Sequence, residues 1–139
     1  MSIRILLVDD SLTFVSAVRQ FLDMLPGADV VGESHDGGDA LAKAHALSPD
    51  LVLLDVTLPG MGGPEVARTL RMWPKPPAVV FLSMHEAAAY QSMAEALGAL
   101  AYINKSDFVD QLLPIIERMV AEAVVPTLPK RVLQAGTPP

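Results

Sequence analysis

The sequence predicts an α/β domain: a doubly wound parallel sheet of five strands, built from five successive β-α units. Three observations predict it. Short apolar runs at residues 3–8 (interrupted only by Arg4), 51–54 and 78–82 are bounded by turn residues, the pattern of strands buried on both faces. Between them lie segments whose apolar residues recur at helical spacing. The chain of 139 residues, 51% apolar and 19% charged, can build one domain with a sizeable core and has no room for a second of ordinary size. Strands alternating with helices through short connections imply a parallel sheet covered on both faces.

Taken in order, the first strand (residues 3–8) closes on Asp9 and Asp10. Ser11 follows as an N-cap, with Leu12, Val15, Val18, Phe21, Leu22 and Leu25 at helical spacing until Pro26 and Gly27 stop the helix. A weaker strand within residues 29–34, centred on Val30, Val31 and Gly32, belongs at a sheet edge. Asp36, Gly37, Gly38 and Asp39 open a second helix with Ala40, Leu41, Ala44 and Leu47 inward, ended by Ser48, Pro49 and Asp50.

The third strand runs through residues 51–54 into a single carboxylate, Asp55, before the chain turns through Pro59, Gly60, Gly62 and Gly63. Pro64 suits the first turn of a third helix, which turns Val66, Ala67, Leu70 and either Met72 or Trp73 to the sheet. Pro74, Pro76 and Pro77 lead into the fourth strand, residues 78–82, ending in Ser83. An alanine-rich helix over about residues 85–97 stops at Gly98, and a fifth strand at 99–103 ends in Asn104 and Lys105. Ser106 is expected to cap a last helix carrying Phe108, Val109, Leu112, Ile115, Ile116, Met119 and Val120. Pro114 removes one helical hydrogen bond and crowds the preceding turn, so either a kink there or a regular helix starting later than Ser106 is expected. Residues 126–139, with four prolines and no periodicity, read as a flexible tail or linker stub after a domain of residues 1–125.

Composition removes several function classes. A net charge of −6 argues against general affinity for nucleic acid or anionic membranes. The absence of cysteine removes disulfides, thiolate metal sites and thiol nucleophiles, and His35, His45 and His85 lack ligand-like spacing for zinc and read as surface residues. The amino-terminal apolar run is too short for a signal segment, and no apolar stretch approaches the roughly 18 residues of a membrane span. A cytoplasmic protein is the simplest expectation.

Polar residues interrupt the apolar runs at strand ends: Asp9 and Asp10 after the first, Asp55 after the third, Ser83 after the fourth, Lys105 after the fifth. In a parallel sheet these ends converge on one edge, where open α/β sheets place their chemistry. Three carboxylates held together repel unless a cation neutralises them, and an oxygen-only ligand set suits Mg²⁺. A lysine and a hydroxyl beside it can bind phosphoryl oxygens, so the set composes phosphoryl transfer onto Asp55 as nucleophile. Singly, each residue has a plainer reading: Asp9 or Asp10 as a helix cap, Asp55 as a turn acid, Ser83 as a structural hydroxyl, Lys105 as a solvated loop residue.

Asp9 and Asp10, Asp55 followed by Leu58, Pro59 and Gly63, then Ser83 and Lys105, resemble the receiver domain of two-component response regulators. The resemblance covers about residues 3–122 and implies a flavodoxin-like (βα)5 fold with strand order 2-1-3-4-5. It implies that Asp55 accepts phosphate from a sensor histidine kinase or histidine phosphotransfer protein. Asp9, Asp10, Asp55 and the backbone carbonyl of Thr57 would hold Mg²⁺, and Ser83 and Lys105 would contact the phosphoryl group. Tyr102, three residues before the lysine, matches the family's switch aromatic, and output would pass through the fourth helix, fifth strand and fifth helix to a downstream protein or a second copy. The wording around Val30 to Glu33 and Tyr102 to Asp107 is most similar to the branch that often carries a helix-turn-helix output domain, for which the tail is too short.

Three positions depart from the family pattern. Ser106 stands where many receivers have a proline after a cis bond, so a trans Lys105–Ser106 peptide is expected. Met84 replaces a commoner small residue and is a candidate modulator of access to the acceptor. Gly62 replaces a frequent aspartate and leaves its loop with less local hydrogen bonding. Two alternatives of other classes stand beside the receiver reading. One is a Mg²⁺-dependent aspartyl-phosphate phosphatase of haloacid-dehalogenase type, which usually carries a second aspartate where this chain has Thr57. The other is a receiver-like interaction module that never takes phosphate. A nucleotide-binding protein is disfavoured by the lack of a glycine-rich phosphate loop after the first strand.

Overall fold

The computed structural model describes residues 2–84 and 88–124. Five strands, β1 (Ile3–Val8), β2 (Ala28–Ser34), β3 (Leu51–Asp55), β4 (Ala78–Ser83) and β5 (Ala101–Asn104), alternate with helices α1 (Leu12–Asp23), α2 (Gly37–Leu47), α3 (Gly63–Arg71), α4 (Ala88–Ala96) and α5 (Phe108–Val124). All pairings are parallel and the order is β2-β1-β3-β4-β5, as expected. The weak strand β2 is an edge. Its register on β1 shifts between Ile5 and Leu6, where one extra β2 residue bulges out.

The sheet divides the core in two. Leu6, Val8, Val52, Leu54 and Phe81 pack under α2, α3 and α4, while Ile5, Leu7, Leu51, Leu53, Val80 and Leu82 pack under α1 and α5. Alternate residues of one strand thus serve opposite layers, which is why β3 is buried along its whole length and reads as an unbroken apolar run. Register then sets the strand ends. Val8 lies opposite Leu54, Asp55 opposite Leu82 and Ser83 opposite Asn104, so Asp9, Asp55, Ser83 and Lys105 leave the sheet on one edge.

Several local expectations are corrected. Of the alternatives Met72 and Trp73, Met72 is the one turned outward, 81% exposed, while Leu12 and Val109, placed inward by helical spacing, are 67% and 41% exposed. Leu12 and Val109 each stand in the first turn of their helix. Trp73 is the residue after α3 that packs on the core. Strand β5 starts at Ala101, since Ala99 and Leu100 use their amides to bridge to Ala94 and Val79. Ser106 is not a helix cap. The side chain of Asn104 accepts from the Ser106 amide at 2.9 Å, forming a 3-10 turn over Lys105–Asp107. The regular helix begins at Phe108 and runs through Pro114, so of the two outcomes foreseen for that proline the later start is the one observed.

Every peptide bond among the described residues is trans, Lys105–Ser106 included. Gly62 is the N-cap of α3 and offers no side-chain cap, as anticipated. No described helix is long and apolar enough to cross a membrane. The readings of a tail at 126–139, of a fourth helix from residue 85 and of His85 at the surface lie outside the described residues.

Candidate functional site

Asp55 ends β3 at the middle of the sheet and is 5% exposed. Its two oxygens keep different company. Oδ1 accepts from the Thr57 amide at 3.2 Å, and Oδ2 lies 3.3 Å from the Lys105 ammonium. The chain can turn sharply enough for this because residue 63 is glycine. A Cβ there would stand 2.2 Å from the Asp55 carbonyl oxygen, closer than any side chain can approach backbone. The Gly63 amide donates to the Val56 carbonyl and holds the loop back against the strand end.

Asp9 is 1% exposed, and its Oδ1 accepts from the Ser11 amide at 2.9 Å. Ser11 is the N-cap of α1, accepting from the Phe14 amide, so Asp9 braces the start of that helix and is not itself the cap. Asp9 Oδ2 lies 2.6 Å from Lys105 Nζ yet has no donor in hydrogen-bond geometry. Its charge is thus compensated by an ion pair and by no aligned hydrogen bond. Asp10 is exposed beside it, and one carboxylate oxygen each from Asp9, Asp10 and Asp55 lie within 4.8 Å of one another.

Lys105, its side chain 8% exposed, therefore bridges the two buried carboxylates. Burial and then the neighbouring Asp9 carboxylate push the Asp55 pKa up to about 6, with Lys105 and the Thr57 amide pulling the other way. A carboxyl titrating there is mostly ionised at neutral pH, and a cation entering the site would relieve its repulsion from Asp9.

Ser83 is buried at the end of β4, one residue past the partner of Asp55. Thr57 is exposed at the rim, and Met84 is 70% exposed. Tyr102 is half-buried against the core of the α2-α3-α4 layer and stacks on Tyr90 of α4, with ring centroids 6.2 Å apart and planes 17° from parallel. Asp9, Asp10, Asp55 and Lys105 are thus brought together, Ser83 and Thr57 border them, and Tyr102 and Met84 stand further out.

Three residues at the site escaped the sequence reading. Phe14 has its ring 4.8 Å from Lys105 Nζ, Asn104 builds the turn that carries the lysine, and His35 Nδ1 lies 3.0 Å from the Asp9 carbonyl. Phe14 was legible, standing four residues before Val18 and seven before Phe21 on the inward stripe of α1. The other two carry no local signal.

Known proteins are similar to this chain in sequence and fold. A family model for the response regulator receiver domain matches residues 5–117. A protein-glutamate methylesterase/protein-glutamine glutaminase of Myxococcus xanthus is 40% identical over 104 residues, 74% of this chain and 30% of that protein. The nitrate/nitrite response regulator protein NarL of Escherichia coli is 33% identical over 130 residues, 89% of this chain and 60% of that one. The chain spans about a third of the length of the methylesterases it matches and about three-fifths of that of NarL. A LuxR-family two-component response regulator from Aurantimonas sp. SI85-9A1 superposes with a TM-score of 0.80 at 35% identity, covering 87% of this chain and 86% of that one. The receiver domain of the putative regulator NarL from Mycobacterium tuberculosis superposes at 0.75 with 32% identity, covering 84% and 97%. These neighbours are in keeping with the likeness to the helix-turn-helix branch. With the strand order, the acidic edge and a match over residues 5–117 in agreement, the chain belongs to the response regulator receiver domain family.

Proposed function

We propose that this chain is a phosphoacceptor signalling domain of the cytoplasm. In this reading Asp55 takes a phosphoryl group from a phosphohistidine of a sensor kinase or histidine phosphotransfer protein. The observation that carries the reading is the asymmetric setting of the Asp55 carboxylate. It is buried, polarised by the Thr57 amide on one oxygen and by Lys105 on the other, and ionised at neutral pH despite its raised pKa. An oxygen of Asp55 attacks phosphorus. The O–P bond forms as the P–N bond to the donor imidazole breaks, and the electron pair leaves with the imidazole nitrogen, which takes a proton. Lys105 screens the charge that arrives, and Ser83 borders the same space.

The all-oxygen donor set of three carboxylates fits Mg²⁺. Asp9, Asp10, Asp55 and the backbone carbonyl of Thr57 would hold it, and it would supply neutralising charge for the phosphoryl oxygens. The group adds about −1.5 to −2 charges at Asp55. In this reading Ser83 and Lys105 respond to it, Tyr102 leaves or tightens its stack on Tyr90, and the α4-β5-α5 surface presented to a downstream protein or second copy changes. Exposed Met84, the residue after Ser83, would tune entry and loss of phosphate in this reading. Direct binding of nucleic acid by this chain, or of membrane, is not part of the proposal, nor is turnover of a substrate as an enzyme.

The test is incubation with Mg²⁺ and acetyl phosphate, followed by intact mass. One added phosphoryl group is expected, and none after Asp55→Asn. Addition that survives the substitution would remove Asp55 as acceptor. Rapid multiple turnover of simple phosphate esters would favour the phosphatase class, and no uptake from any donor would favour a pure interaction module.

A further inference from the structure

We propose that Phe14 is a positioning residue for Lys105, with Phe108 and Phe21 fixing its ring; only the rate consequence below rests on the phosphoacceptor reading. A lysine presents a compact charge on a flexible four-carbon stem, and attraction to two carboxylates does not by itself select one rotamer. Here the ammonium is bounded on two sides. Asp9 Oδ2 and Asp55 Oδ2 lie 2.6 and 3.3 Å away, and the Phe14 ring centroid lies 4.8 Å away. A cation within about 6 Å of an aromatic face is drawn to its negative quadrupole, more strongly where water is excluded, and this lysine side chain is 8% exposed.

The ring is itself held. Phe108 meets Phe14 edge to face, centroids 5.3 Å apart and planes at 73°, and Phe21 meets Phe108 at 5.8 Å and 88°. Phe108 is the first residue of α5, directly after the 3-10 turn that begins at Lys105. The contacts therefore close a circle from the lysine backbone through Phe108 and Phe14 back to the ammonium. The other end is tied to the same helix start, because Ser11 donates to Asp9 Oδ1 and accepts from the Phe14 amide. Asp9, the ring and the lysine are thus referenced to one another through α1 and the β5-α5 turn. This keeps the ammonium at the edge shared by Asp9 and Asp55.

The first readout needs no phosphate. In NMR spectra of the chain, the ε-methylene protons of Lys105 are expected upfield of their ordinary position through the Phe14 ring current. The shift is lost in Phe14→Leu, kept in Phe14→Tyr and reduced in Phe108→Leu. The second readout is the initial rate of Asp55 modification by acetyl phosphate, expected to fall about 5-fold in Phe14→Leu and to stay near the parent in Phe14→Tyr. Ordinary Lys105 shifts in the unsubstituted chain would overturn the proposal, as would equal rates for the Leu and Tyr variants. The first observation stands even if Phe14→Leu does not fold. A chain that takes no phosphate while showing the upfield shift would refute the phosphoacceptor reading and leave the role of Phe14 standing.

Discussion

Replacing Asp55 by asparagine should stabilise the metal-free protein at neutral pH, because the native fold holds an ionised carboxylate against its preference. The Asp55 pKa rises from 3.8 to about 6 through burial and the Asp9 carboxylate. Two pKa units correspond to a ceiling of about 3 kcal/mol, and allowing for the open rim at Asp10 and Thr57 leaves about 2 kcal/mol. The sign follows from linkage. The folded state binds the Asp55 proton more tightly than the unfolded state does. The stabilisation from that proton is complete below the unfolded value and is lost as pH climbs through the folded one. The parent should therefore lose about 2 kcal/mol relative to Asp55→Asn between about pH 4 and pH 6.5, with no further loss above. Paired urea unfolding curves in chelator, at about pH 4 and about pH 7.5, measure it. The two chains should nearly coincide at the lower pH, and the variant should gain about 2 kcal/mol, roughly 8 °C in Tm, at the higher. A variant no more stable than the parent at the higher pH, or one with the same gain at both, would refute the electrostatic argument.

Other outcomes follow from the same geometry. Mg²⁺ at about ten times its Kd should stabilise the parent by about 1.4 kcal/mol, and Asp9→Asn should abolish most of that gain in thermal unfolding. Lys105→Met leaves two buried carboxylates without their shared cation. It should cost about 3 kcal/mol at neutral pH and move the Asp55 titration further up, which carbon-13 NMR of the side-chain carboxyl reads directly. Gly63→Ala forces a Cβ against the Asp55 carbonyl and should cost about 3 kcal/mol or more by denaturant unfolding, with weaker Mg²⁺ affinity because the strand end must move.

The parts of the fold legible in the sequence are those that repeat. Strands β1, β3 and β4 are buried on both faces and so announce themselves as apolar runs, and their interruptions by Asp9, Asp55 and Ser83 mark the site edge directly. Convergence of those ends follows from parallel pairing alone. What periodicity misjudges is the end of an element. Leu12 and Val109 fit a helical stripe yet stand exposed in the first turns of α1 and α5. Ser106 has the chemistry of a cap but lost the role to Asn104, because the chain tightens into a 3-10 turn before α5. Which carboxylate would receive the lysine was beyond any spacing rule, since Lys105 and Asp9 come from opposite ends of the chain and meet only through two strands between them.

The sheet that separates the two apolar layers also acts as a partition between two aromatic assemblies. Phe14, Phe108 and Phe21 lie on the α1-α5 side, while Tyr90 and Tyr102 lie on the other. Lys105 and Tyr102, three residues apart on one strand and its turn, contact one assembly each. On the phosphoacceptor reading, a single event at Asp55 would be heard in two rooms by different listeners. Either is expected to be silenced by substitution without disturbing the other, since the sheet stands between them.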